Sequence, residues 1–192
     1  AGDVKYVDRN GDGVVDDNDR DIIGNPNPDF TYGFQTKVSW KSLSLSASFN
    51  GVQGRDILNV GNRYNNTPGT KSNNVTRKAF QNMWTDENPS NLYPKSTFVV
   101  QNMVMDRYVE DGSYLRCSDI TLSYVLPAKW TNKIGIKNTS VYASVKNAFV
   151  ITDYSGYDPE VNSFAFDGLR PGVDMNSYPT PRSFVFGLNL TF

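Results

Sequence analysis

The stretch FTYGFQTKVSWKSLSLSASF, residues 30–49, decides the fold. Phe30, Tyr32, Phe34, Thr36, Val38 and Trp40 alternate with Thr31, Gly33, Gln35, Lys37 and Ser39. A period of two predicts an extended strand with opposed faces. After Lys41-Ser42 the alternation resumes, with Leu43, Leu45, Ala47 and Phe49 set against Ser44, Ser46, Ser48 and Asn50. So short a link predicts a hairpin, although it lacks the Gly or Asn of the favoured turns.

The same signature returns three times, at about Tyr114 to Leu126, at about Lys137 to Phe149, and in the closing SFVFGLNLTF. In the last, Phe184, Phe186, Leu188, Leu190 and Phe192 share one parity. Each segment is near the ~9–11 residues that a tilted strand needs to cross a bilayer. The links between them alternate: Lys41-Ser42 is minimal, Gly51 to Gly112 very long, Pro127 to Ile136 modest, Ile151 to Arg182 long. Outer-membrane barrels have short periplasmic turns and long outer loops, so this rhythm places the C-terminus on the periplasmic side. The polar parity carries Ser, Thr, Asn and Gln rather than abundant Lys and Glu, which suits a wetted lumen better than the outside of a β-sandwich. Long links are also awkward in a sandwich, and Phe30, Tyr32, Trp40, Phe49 and Phe149 near strand ends suit an interfacial aromatic girdle. The expected fold is all-β, an antiparallel transmembrane β-barrel segment with long extracellular loops.

Composition narrows the function. The 192 residues carry 19 Lys+Arg against 20 Asp+Glu, so no basic excess exists to hold nucleic acid. No apolar run approaches the ~20 residues of a membrane helix, and a mean hydropathy of -0.50 does not argue against alternating membrane strands. Cys117 is the single cysteine and histidine is absent, so a Cys/His zinc site within the chain is impossible. The opening AGDVKYVDRNGDG lacks the features of an export signal and reads as the middle of a loop. The chain is therefore expected to be a fragment of a longer protein, with residues 1–29 an extracellular loop and 30–192 the strand-bearing part.

Residues 8–19, DRNGDGVVDDND, have the spacing of a calcium loop. Asp8, Asn10 and Asp12 stand at positions one, three and five; Gly13 supplies the sharp turn; Val14 offers a carbonyl; Asp16 and Asp19 complete the set. A hard divalent cation needs about six to eight oxygens, and a curled loop presents alternate residues inward. The last position is Asp rather than the bidentate Glu of calcium sensors, which points to a loop stapled by Ca2+ rather than to a switch. The long link predicts a short helix over about Thr76 to Trp84, broken before Pro89. Asp106, Glu110, Asp111 and Asp119 are carboxylates near one strand without a defined cleft, so no glycosidase pair is expected.

Taken in order, the calcium-type loop, IIGNPNPDFTYGF, YVEDGSYLRCSDITLSYVLP, YSGYDPEV and PRSFVFGLNLTF resemble the C-terminal part of the SusC/RagA family of TonB-dependent outer-membrane transporters from Bacteroidetes-type bacteria. The resemblance implies the final five strands of a barrel of about 22, with the plug domain, the TonB box and the earlier strands outside this chain. It implies import of large nutrients, glycans or peptides, under a SusD-like lipoprotein lid and driven through TonB. It also implies that Phe184, Phe186, Leu188, Leu190 and Phe192 face outer-membrane lipid and act as an assembly signal. The other readings of the residues are a passive porin-like channel and a secreted calcium-binding β-sandwich adhesion module.

Overall fold

The computed structural model describes residues 1–67, 74–96, 104–131, 136, 138–160 and 163–191. In chain order its strands and helices are β1 (Phe30–Trp40), β2 (Leu43–Gln53), β3 (Asp56–Asn59), α1 (Val60–Asn66), α2 (Arg77–Asn82), β4 (Val109–Asp111), β5 (Tyr114–Val125), α3 (Ala128–Thr131), β6 (Asn138–Thr152), β7 (Val173–Asp174) and β8 (Ser183–Thr191). Single 3-10 turns lie at Asp17–Asp19 and Asp106–Tyr108.

The alternating segments form one antiparallel sheet of five strands, ordered β1-β2-β5-β6-β8. Register follows hydrophobic parity: Val38 pairs with Leu45, Leu45 with Leu122, Leu122 with Ala143, and Ala143 with Phe186. A slip of one residue would turn each apolar row to the opposite side. The tight β1–β2 turn is made with Lys41 at a φ of 53°, a left-handed conformation held without glycine. The register shifts between Ser48 and Phe49 on β2 and between Cys117 and Asp119 on β5. There Ser118 bulges out and its hydroxyl donates to the Ser48 carbonyl at 3.1 Å.

One face of this sheet is apolar and largely exposed, from Phe34, Val38 and Trp40 through Leu45 and Leu122 to Phe184 and Phe186. Phe34 stacks on Phe49 with ring centroids 4.6 Å apart. The opposite face is hydroxyl-rich, with Ser39 and Ser44 bonded at 2.8 Å and Asp119 paired to Lys146 at 2.6 Å. On this face Tyr142 lies over Gly187, and a Cβ on that glycine would enter the ring.

A smaller mixed sheet, ordered β4-β3-β7, sits beyond one end of the large one. The β3–β4 pair is antiparallel and the β3–β7 pair parallel. The buried apolar residues collect at this end, with Ile57, Tyr108, Tyr114 and Tyr154 nearly inaccessible. The expected all-β class is thus corrected, because among the described residues three short α-helices and a mixed sheet stand beside the antiparallel strands. The expected transmembrane β-barrel is corrected too, because among the described residues both sheets are open. The physical reasons are local. Five strands, each rotated by about 20–25° from the next, do not bring the outer two together. Between them, Asn59 and Thr76 start helices by capping, each side-chain oxygen accepting from a backbone amide three residues on.

Candidate functional site

The polar groups of the small sheet converge beside α1. Glu110 on β4 is the hub: its Oε1 accepts from Asn59 Nδ2 at 3.0 Å, Asn62 Nδ2 at 2.8 Å and the Ser155 hydroxyl at 2.9 Å. Its Oε2 accepts from the Ser155 backbone amide at 2.9 Å. Asn59 also caps α1 through its Oδ1, taking the Asn62 amide at 2.8 Å. Asn66 donates to Asn62, and the Thr76 hydroxyl donates to Asn66 Oδ1 at 2.7 Å, tying α2 to α1. Asp174 on β7 accepts from the Tyr154 hydroxyl at 2.7 Å and the Ser177 amide at 3.0 Å. Burial, reinforced by that bond to Asp174, pushes the Tyr154 phenol far above its ordinary pKa.

Beside them lies a cavity of about 280 Å3 lined by Asn59, Asn62, Asn65, Asn66, Tyr157, Asp174 and Asn176, among others. Asn65 and Asn176 have no side-chain hydrogen-bond partner among the described residues, and Tyr157 is 74% exposed. Asn176 holds a φ of 66°, a left-handed position that asparagine tolerates.

A second network fixes the loop that carries Tyr157. Arg116 on β5 donates to Asp158 at 2.5 Å and lies 2.8 Å from Glu160 as an ion pair. The Tyr114 hydroxyl donates to Glu160 at 2.5 Å, and Arg55 reaches the Pro159 carbonyl. Arg116 and Asp158 are both buried. Burial works against the Asp158 anion, yet bonds from the Glu160 and Thr180 amides and the Arg116 charge hold its carboxyl below the usual range.

The residues read as calcium ligands lie on an exposed loop that caps its own backbone. Asp8 accepts from the Gly11 and Gly13 amides at 2.7 and 2.8 Å, Asn10 from Asp12 at 2.8 Å, and Asp12 from Val14 at 2.8 Å. Asp19 accepts from Arg9 at 2.8 Å and Asp16 at 2.9 Å, and such backbone bonds, the one to Asp16 foremost, hold its carboxyl low. The donor set is all oxygen, which suits a hard cation. Among the described residues, however, no three acidic, His or Cys side chains stand close enough to grip a metal.

Phe184, Phe186, Leu188 and Leu190 share the exposed apolar face, whereas Phe192 lies outside the described residues. Glu110 and Asp119, on separate strands, are each engaged by neighbours rather than facing one another across a cleft. The asparagine cavity was not among the residues singled out from the sequence. Its signal was there in NVGNRYNN, residues 59–66, whose amide density exceeds what capping one helix requires.

No protein-family model matches the chain. Along its length the chain is similar to TonB-dependent receptors. TonB-dependent receptor P26 of Formosa agariphila is 35% identical over 200 residues, covering 100% of this chain and 20% of the relative. TonB-dependent receptor SusC of Bacteroides thetaiotaomicron is 34% identical over 194 residues, covering 97% of this chain and 17% of SusC. Among solved structures, the RagAB peptide importer in its open-open state matches with a TM-score of 0.74 at 30% identity, over 89% of this chain and 18% of that one. The chain thus spans about a fifth of the length of the curated relatives it matches. These likenesses support homology to SusC/RagA-type receptors. The narrower expectation, a C-terminal barrel segment, is what the open sheets and the helices overturn.

Proposed function

We propose that the chain is part of a TonB-dependent receptor that works in nutrient import at the outer membrane of a Bacteroidetes-type bacterium. The observation that carries this reading is similarity to such receptors from end to end of the chain, at 35% identity. The cargo in this reading is a large nutrient, a glycan or a peptide. The receptor works with a SusD-like surface lipoprotein and takes energy through TonB, and no bond is made or broken. The apolar face bearing Phe184, Phe186, Leu188 and Leu190 meets outer-membrane lipid, since its exposed side chains cost free energy in water. Residues Asp8, Asn10, Asp12, Val14, Asp16 and Asp19 take Ca2+, which draws the carboxylates together and staples the loop.

The test is purification of the chain with its natural flanking sequence from outer membranes in detergent, with mass spectrometry of everything recovered. The expected result is one long receptor polypeptide accompanied by a lipoprotein, and cargo uptake that stops when TonB is deleted. Recovery in the aqueous fraction without detergent, or uptake indifferent to TonB, would overturn the reading.

A further inference from the structure

We infer that the cavity beside α1 takes a Ca2+ ion, seated on the buried Asp174 carboxylate and on the asparagine amide oxygens around it. This site is separate from the opening loop 8–19 and stands independently of the import reading.

Charge points to a cation. Asp174 is 2% exposed, so its carboxylate is withdrawn from bulk water while lining the cavity. Its Oδ2 accepts from the Tyr154 hydroxyl and its Oδ1 from the Ser177 amide, both neutral donors. Among the described residues no cation pairs with it, and Glu110 likewise has no ion pair. Asn59 links the two carboxylates, as the register partner of Asp174 and a donor to Glu110. Behind the larger effect of burial, the charges of both reach Tyr154 and help hold its proton. The guanidinium of Arg116 is committed to Asp158 and Glu160, and that of Arg55 to the Pro159 carbonyl and the Tyr114 ring. A buried anion without a counter-charge is costly, and a bound cation removes that cost.

The donor atoms select a hard ion. Asn65 and Asn176 line the cavity without a side-chain partner among the described residues, so each offers a free amide oxygen. The Asn62 Oδ1 takes one bond from Asn66 and keeps a second lone pair. The Asn176 amide lies against Gly61 of α1, where a Cβ would collide with its Oδ1, so the bare backbone there lets the oxygen approach the helix. All of these are oxygens, as Ca2+ prefers; softer metals take nitrogen or sulfur, but the chain has no histidine and its one cysteine is buried on β5.

Size and charge together favour Ca2+ over its competitors. About 280 Å3 is room for about nine waters at ~30 Å3 each, so the ion keeps part of its hydration shell. Ca2+ completes its six to eight oxygens flexibly from carboxylate, amide and water, whereas Mg2+ demands a tight octahedron. Two carboxylates without ion pairs, one lining the cavity and one behind it, suit a divalent ion better than Na+. A single lining carboxylate sets the affinity in about the 0.1–1 mM range of extracellular calcium modules. The frame is already in place: Glu110 and Thr76 lock Asn59, Asn62 and Asn66, which reduces the ordering that binding must offset.

The experiment uses the chain with its natural flanking sequence, extracted in detergent and stripped with a chelator, in an Asp8→Ala background that removes the opening loop from the readout. Amide exchange at residues 59–66, 155–157 and 174–177 is followed by mass spectrometry as CaCl2 is added, with MgCl2 and NaCl in parallel at matched ionic strength. The expected result is slower exchange in these segments with Ca2+, half-complete at about 0.1–1 mM. At ten times that concentration the slowing should reach about tenfold. Asp174→Asn should abolish the response. Because that change also touches the Tyr154 bond, Asn176→Gly supplies a second check: it keeps the left-handed backbone, removes one oxygen, and should raise the half-effect concentration about threefold or more. No Ca2+ response in these segments, a response matched by Mg2+ or Na+, or one that survives both variants unchanged would overturn the inference. A Ca2+ response seen with Asp8 intact and confined to residues 8–19 would likewise reject the cavity while supporting the loop.

Discussion

Glu110 shows how much one side chain can decide. Its carboxylate satisfies two asparagine amides, a hydroxyl and a backbone N–H, so Glu110→Gln would replace an acceptor oxygen with a donor facing other donors. The expected loss is about 1–3 kcal/mol of local stability, seen as faster amide exchange around Ser155. Unchanged exchange would remove the hub role. Arg116 acts similarly from β5: Arg116→Ala leaves Asp158 buried without its cation, at a cost of about 3–5 kcal/mol in thermal or denaturant unfolding. The sign of the pH dependence follows from Asp158. Its carboxyl is held below the unfolded value, so its contribution is complete above about pH 4, the unfolded pKa, and fades as pH falls through the folded one. Limited proteolysis between Asp153 and Glu160 should therefore accelerate only below about pH 4.

At the scale of elements, the long strands were legible because apolar and polar side chains alternate with period two. β1 occupies Phe30–Trp40, as its alternation predicts, and α2 falls at Arg77–Asn82 behind its Thr76 cap, inside the expected helix. The bulge at Ser118 was not legible: simple parity puts Tyr114 with Ile120, yet the shift between Cys117 and Asp119 places them on opposite faces. The two-residue β7 and the four-residue β3 escaped because so short a strand has no period to detect; long-range pairing, not pattern, makes them. The asparagines of the cavity escaped for a related reason, since α1, β7 and the Ser155–Tyr157 loop are distant in sequence and only the fold brings them together. The opening loop was legible as spacing but not as a closed site. A titration of Ca2+ into the full-length receptor should protect residues 8–19 from proteolysis, and Asp8→Ala should abolish that protection; equal cleavage with and without Ca2+ would sink the assignment.

For the whole molecule, the large sheet presents a greasy side and a hydroxylated side, and each should respond differently to substitution. Phe186, 79% exposed on the apolar side, should tolerate Leu and fail with Asp, lowering outer-membrane abundance on quantitative blots. Equal abundance would remove that face from contact with lipid. On the other side Gly187→Val would drive a side chain into the Tyr142 ring, costing about 1–3 kcal/mol or shifting β8 against β6. The apolar side was readable from residues 30–49 alone, whereas the small sheet and its buried tyrosines depend on contacts across most of the chain.

The outer strands β1 and β8 carry a further consequence. Among the described residues each has one long flank without a strand neighbour in the sheet order, and each bears exposed aromatic side chains. Produced by itself in water, this polypeptide is its own best template: one copy's β1 flank can seed the next copy's backbone, and the aromatic rows can zip such layers together. Handling the isolated piece is then a contest between folding and fibre growth, and the outcome turns on concentration.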